Sequence, residues 1–224
     1  VDDAENSVRE TGELRGLLRI GMPSTMAILV VIPRLSAFTE RHPQMHLELM
    51  LEDQWQDMVK EAVDVGIRVG KLPDLAGTAK LIGSMQRIVV ASAAYLAQYT
   101  TPSRPEDLEQ HRIIGGPAAA HASSWQFERD GESTSVSLTA QISVNDTAGA
   151  LAAAVGGLGV TSTTSWACAQ ELRDGTLVQI LPAWKMSDLP VHAYFPMGRA
   201  TRLAARAFAD FLASALEQPP TLSE

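Results

Sequence analysis

Leu17-Leu18-Arg19-Ile20-Gly21-Met22, followed at once by Pro23-Ser24-Thr25, is the stretch on which the fold turns. Its apolar run reads as a short strand, set off by Gly12 and Gly16 upstream and by Pro23 downstream. Ser24 or Thr25 is the N-cap candidate of a helix reaching about Arg41, with Met26, Leu29, Val30, Leu35 and Phe38 as its apolar positions. Pro33 lies inside that helix and should kink it or start a second segment. His46 to Glu52 alternates polar and apolar and reads as a second strand. A short helix over Trp55 to Ala62 and an alternating strand over Val63 to Val69 complete a β-α-β-α-β unit. Such a unit requires a largely parallel sheet with right-handed crossovers.

Working outward, Thr78 to Ile82 and Arg87 to Ala91 read as strands, and Ala93 to Gln98 and Pro105 to Gln110 as short helices. Trp125 to Glu128 and Ser135 to Leu138 are strands joined through an Asp130-Gly131 hairpin turn. This middle region mixes antiparallel strands with helices, unlike the first 80 residues. Ile142-Ser143-Val144 leads into a helix from Asp146 to Val155, closed by Gly156-Gly157. Leu158 to Ser162 is a strand, Trp166 to Arg173 a helix and Val191 to Phe195 a late strand. A final amphipathic helix, Arg202 to Leu216, carries Leu203, Phe208, Phe211 and Leu212 on one face. The expected fold class is α/β, with two lobes and mixed, mostly parallel sheets.

Composition narrows the function. The 224 residues carry a net charge of −8, with 46% hydrophobic and 20% charged side chains, as an ordinary globular chain does. The negative balance argues against these residues gripping a phosphate backbone. The single cysteine, Cys168, excludes an internal disulfide and a cysteine-based zinc site, and points to a reducing compartment. No apolar run approaches the roughly 20 residues of a membrane helix. The acidic start, Val1-Asp2-Asp3-Ala4-Glu5-Asn6, lacks a signal-peptide pattern and an initiator methionine, so the chain is expected to be a piece of something longer. Val1, Ala4, Val8 and Thr11 follow a 3-4-3 spacing, although a frayed polar terminus accounts for them as well.

Catalytic signatures are missing: there is no G-x-S-x-G, H-E-x-x-H or C-x-x-C. Gly66-Ile67-Arg68-Val69-Gly70-Lys71 lacks the phosphate-loop spacing, and Gly156-Gly157-Leu158-Gly159 follows a helix rather than a strand. The histidines are scattered. His42 and His111 sit at loop ends and are expected to be exposed, whereas His192 and Cys168 are expected to pack. No enzyme activity, metal or cofactor is expected. Binding is better supported. Ser24-Thr25, Ser92, Asn145-Asp146-Thr147 and Thr161-Ser162-Thr163-Thr164-Ser165 all read as polar turns just past a strand's carboxyl end. Ligands of open α/β sheets lodge there, and free helix-start N–H groups favour a carboxylate.

The chain resembles the effector-binding domain of LysR-type transcriptional regulators, which share the type 2 periplasmic-binding-protein fold. The pieces that carry the likeness are Gly16 to Gly21, Ile32-Pro33-Arg34-Leu35-Ser36-Ala37-Phe38 with Arg41-His42-Pro43, Val63 to Gly70, and Ala94-Tyr95-Leu96. Pro102 with Pro105 to Leu108, Ala148 to Gly159, Leu177 to Trp184, and Phe208 to Leu212 follow in the family's order. The resemblance implies that residues 1–15 end a dimerising linker helix. It assigns 16–91 and 192–217 to one lobe and 92–191 to the other, with hinge crossings near Ala91-Ser92 and Val191 to Phe195. It also implies an absent N-terminal winged helix-turn-helix domain that contacts DNA, a homodimer or tetramer, and a cytoplasmic location. The inducer is expected in a cleft between the lobes, at or near Pro23, Ser24, Thr25, Gly66, Ile67, Arg68, Ser92, Asn145, Thr161, Ser162 and Phe195. Two departures stand out: Ser92-Ala93 where the family often has Ser-Pro, and Thr161-Ser162-Thr163 where it often has an aliphatic pair and proline. An extracytoplasmic solute-binding protein of the same fold is the second reading, and an enzyme on this fold the third.

Overall fold

The computed structural model describes residues 14–53, 62–72, 77–117, 124–198 and 201–217. Of the linker helix expected over 1–15, residues 1–13 lie outside the described residues and Arg15 belongs instead to the first strand; the helix expected over Trp55 to Ala62 lies outside them save for Ala62. The chain divides into two compact units, Val1–Ser84 with Pro190–Glu224, and Met85–Leu189.

In the first unit, β1 (Arg15–Met22) leads through Pro23 into a helical stretch that changes pitch three times. Ser24–Met26 is α1, Ala27–Val31 a π-helix, Ile32–Arg34 a 3-10 turn and Leu35–Arg41 α2. Proline explains the irregularity: Pro33 has no N–H to give the preceding turn, so the ladder widens before it and restarts after it. Next come β2 (Gln44–Leu51), β3 (Val65–Val69) and β4 (Thr78–Met85). Together with β13 (Leu189–Phe195), which returns from the second unit, they form a sheet in the order β2-β1-β3-β13-β4. Both β2 and β3 run parallel to β1, and β13 runs antiparallel to β3. Leu18, Ile20 and Met22 of β1 and Val65 and Ile67 of β3 are fully sequestered, which is why both strands read as apolar. The closing helix, Leu203–Glu217, buries Ala204, Ala205, Phe208, Ala209 and Leu212.

The second unit opens on β5 (Arg87–Ser92) and α3 (Ala93–Leu96), then a 3-10 segment (Pro105–Gln110) and β6 (Ile113–Gly115). Strands β7 (Ser124–Arg129) and β8 (Glu132–Ser137) form the expected hairpin, with positive φ at both Asp130 and Gly131 as a type I′ turn demands. Then follow β9 (Ala140–Ser143), α4 (Thr147–Val155), β10 (Val160–Thr164), α5 (Ala169–Asp174), β11 (Leu177–Ile180) and β12 (Lys185–Met186). The main sheet runs β11-β5-β10-β6-β9, and β12-β7-β8 forms a small second one. Within the main sheet β10 is parallel to β6 and antiparallel to β5. Ile88, Val89, Val90 and Ala91 are all buried because β5 has side chains packed on both faces. The fold is thus α/β with mixed sheets.

Three local expectations change. The crossing placed near Ala91-Ser92 falls at Ser84–Met85 in this division, since β5 is hydrogen-bonded on both sides by strands of the second unit. The hydroxyl run from Thr161 is not a turn past a strand: Thr161, Ser162, Thr163 and Thr164 are β10 itself, every one of them buried. β-Branched threonines suit a pleated strand, and a polar reading of them hides that preference. His42 is buried, packing edge-on against Phe38 with ring centroids 4.9 Å apart, and His111 bonds Tyr95 Oη through Nδ1 at 3.2 Å.

Candidate functional site

In the first unit the register sets most of the expected residues at one end of the sheet. Gly21 of β1 lies beside Gly66 of β3, so Arg68, two residues on, is level with Pro23, and His192 of β13 pairs with Arg68. The absent Cβ of Gly21 leaves room for the Arg68 side chain, whose Nη2 comes within 4.0 Å of the place a Cβ would take. Arg68 is 5% exposed, and its Nη1 donates to the Ile67 carbonyl at 2.9 Å. Ile67 is wholly in the core. Phe195 is level with Ile20, so it stands about 10 Å short of Pro23 along the sheet and apart from this group.

Pro23, rather than Ser24 or Thr25, occupies the N-cap position, and no side chain of the cap bonds the helix start. The capping carboxylate comes from elsewhere in the chain: Ser24 N–H donates to Asp53 Oδ1 at 2.9 Å. That contact stabilises the helix start and places a negative charge there. An incoming carboxylate at this N–H would meet Asp53 first. Thr25 is different: its Oγ1 is buried and has no hydrogen-bond partner. Such a group ordinarily costs free energy, and it retains the capacity to donate or accept one hydrogen bond.

In the second unit the register separates residues that looked equivalent. Val160 pairs with Ala91 and Thr164 with Arg87, so the carboxyl end of β10 is level with the start of β5. Asn145 follows β9 at the same end, and is exposed, while the α4 N-cap is Asp146, whose Oδ1 accepts from Gly149 N–H at 2.7 Å. Ser92 sits at the opposite end of the sheet, 2% exposed, its Oγ accepting from Tyr95 N–H at 3.2 Å. It is an N-cap. Accordingly Ser92→Ala should lower stability by about 1 kcal/mol, read in urea unfolding, with effector affinity unchanged. A loss of affinity without loss of stability would restore Ser92 to the site.

Thr161 and Ser162 point to opposite faces of β10. Thr161 Oγ1 donates to the Ile114 carbonyl at 3.0 Å, a closed and buried contact. Ser162 Oγ instead accepts from Arg87, with Nη2 at 2.7 Å and Nε at 3.2 Å. The guanidinium also lies over the Trp125 ring, 5.8 Å from its centroid. Desolvation lowers the Arg87 pKa to about 10, so it remains a cation at neutral pH. Sequence reasoning missed Arg87. Its one signal was a charged residue opening an otherwise apolar strand, Arg87-Ile88-Val89-Val90-Ala91.

Cys168 is fully buried, and burial followed by the nearby Glu171 charge pushes its thiol up to about 12, which leaves it unreactive. Among the described residues no group of three His, Cys, Asp or Glu side chains could hold a metal ion, and no helix is long and apolar enough to cross a membrane. The arrangement offers hydrogen-bond donors and buried cations, which suits binding.

The comparisons with known proteins agree. The family described as LysR substrate binding domain matches residues 11–217. The HTH-type transcriptional regulator PtxR of Pseudomonas aeruginosa is 29% identical over 221 residues, covering 98% of this chain and 71% of that protein. A full-length structure of AphB, the Vibrio cholerae virulence activator and a member of the LTTR protein family, is 28% identical with a TM-score of 0.71, over 89% of this chain and 69% of that one. The CrgA regulatory domain from Neisseria meningitidis has a TM-score of 0.76 over 90% of this chain and 99% of that one, and at 23% identity it speaks for the fold alone. The relatives so named are transcriptional regulators rather than enzymes. This chain belongs to the LysR substrate binding domain family, the effector-binding part of LysR-type transcriptional regulators.

Proposed function

We propose that this domain senses a small, carboxylate-bearing metabolite and, through it, controls DNA binding and transcription by a parent regulator. Effector binding and transcriptional control are general to the family, and the chemistry of this effector is read from the residues. The observation that carries it is Thr25 Oγ1, buried without a partner just past the carboxyl end of β1, where ligands of open α/β sheets lodge. The parent protein contacts DNA through an N-terminal winged helix-turn-helix domain, acts in the cytoplasm, and assembles as a homodimer or tetramer. The surplus of acidic over basic side chains in these residues fits a division of labour in which the nucleic-acid grip lies in that other domain. The effector works by binding two arrangements of the domain unequally, because equal affinity would shift nothing.

Thr25→Val tests this reading. The exchange removes a hydroxyl that has no partner and keeps the shape, so the melting temperature should hold or rise. Affinity for the effector, found by a thermal-shift screen of small carboxylates and measured by calorimetry, should fall by the roughly 0.5–1.5 kcal/mol of one hydrogen bond. Equal affinity in the two proteins would remove Thr25 from the site. A complete parent regulator whose transcription responds to none of the compounds that bind would remove the sensor reading itself.

A further inference from the structure

Arg87 is a partly buried cation that no carboxylate of its own unit balances. It makes two donations to one hydroxyl oxygen, Ser162 Oγ, and lies over the Trp125 ring. The six residues of this unit outside the description, 118–123, contain no Asp or Glu. A guanidinium carries five N–H donors in a planar fork, so two are used here and three remain. Ser162 Oγ accepts from the fork twice, which leaves its own O–H as a further donor. The cluster therefore presents donors and a positive charge, with no anion among them to compensate.

Such a group is expensive to leave as it is. Ser162 is 4% exposed and Trp125 1%, and Arg87 itself is half-buried between them and solvent. Desolvation by burial holds the Arg87 pKa below the ordinary guanidinium value. A cation held there pays for its desolvation only if an anion completes the arrangement.

We infer that Arg87 and Ser162 form the anchor for the ligand's carboxylate, the guanidinium fork gripping it by paired N–H donors and the Ser162 hydroxyl adding a third. This rests on the proposed sensing function and names the residues that read the ligand's charge. A planar carboxylate matches the fork, whereas a neutral amide of the same outline offers one oxygen and no charge. The Trp125 ring, 5.8 Å from the guanidinium carbon, adds a cation–π contact that helps hold Arg87 beside Ser162.

The test uses this chain with benzoate and succinate as probes, benzamide as the neutral isostere of benzoate, and inorganic phosphate as a non-planar anion. Benzoate or succinate should shift the Arg87 Nε–H NMR signal and raise the melting temperature, and benzamide should do neither. Arg87→Gln should weaken the carboxylate by about tenfold or more, and Arg87→Lys, which keeps the charge without the fork, by less. Ser162→Ala should weaken it several-fold. Should Arg87→Gln fail to fold, Arg87→Lys and the wild-type NMR titration still decide the matter. Unmoved Arg87 signals with both carboxylates overturn the inference, as does equal affinity in folded Arg87 variants. Phosphate binding as well as the carboxylates overturns the assigned ligand class. Thr25→Val measured in parallel separates the two claims: loss of binding there with none in the Arg87 variants leaves the sensor reading standing and removes this anchor.

Discussion

Phe208→Ala is expected to cost about 3–5 kcal/mol of stability, a large share of what a domain possesses. Phe208 is fully buried on the closing helix, and its ring meets Phe38 edge-on with centroids 5.5 Å apart. Phe38 in turn touches Phe211 at 5.4 Å and His42 at 4.9 Å, so one aromatic cluster joins the closing helix to α2. Ala204, Ala205 and Ala209 beside Phe208 are buried and small, which lets the helix approach closely. They have no atoms with which to refill the space a missing ring leaves, so the cavity should persist. Urea unfolding of the two proteins measures the difference. A loss below about 1 kcal/mol would mean that the helix collapses inward, contrary to this packing.

Gly159→Ala is expected to cost about 3 kcal/mol or more, in the second unit rather than the first. Two causes add. The residue has φ +155°, which a side chain rarely tolerates, and a Cβ there would stand 2.3 Å from the Arg112 carbonyl oxygen. That carbonyl accepts the Val160 N–H at 2.8 Å, the first hydrogen bond aligning β10 with β6. Backbone cannot swing aside as a side-chain tip can, so the strand must shift, and Thr161 and Ser162 move with it. Urea unfolding read by fluorescence should show the loss, and the carboxylate response of Arg87 should weaken together with it. An unchanged unfolding midpoint would refute the close approach.

Much of the architecture was legible because it is local. Alternation of polar and apolar residues marked β2, apolar runs marked β1 and β5, and Asp130-Gly131 marked the hairpin. Gly157 closes α4 with φ +74°, while the Leu158 and Gly157 N–H groups return to the Ala153 and Ala154 carbonyls, as the paired glycines suggested. Strands β11 and β12 were not marked. At four and two residues they are too short for a period to show, and pairing with β5 and β7 is what extends them. The hydroxyl run was misread for a similar reason. Threonine is polar by composition and strand-forming by shape, and burial within a sheet decides which property counts.

The candidate site shows the same division more sharply. By itself the sequence determined the family, the polar character of Ser24, Thr25, Ser92, Asn145, Thr161 and Ser162, and the places of the first four at or after strand ends. Only the tertiary structure decided which of them share an end of a sheet. Strand β5 runs antiparallel to β10, so Ser92 is carried to the far end and Arg87 to the near one, beside Ser162. Helix and strand preferences are set by neighbours along the chain, whereas strand direction is set by hydrogen bonds to residues some 75 positions away. No local pattern encodes that choice, and it sets a capping serine and an unremarked arginine at opposite ends of one sheet.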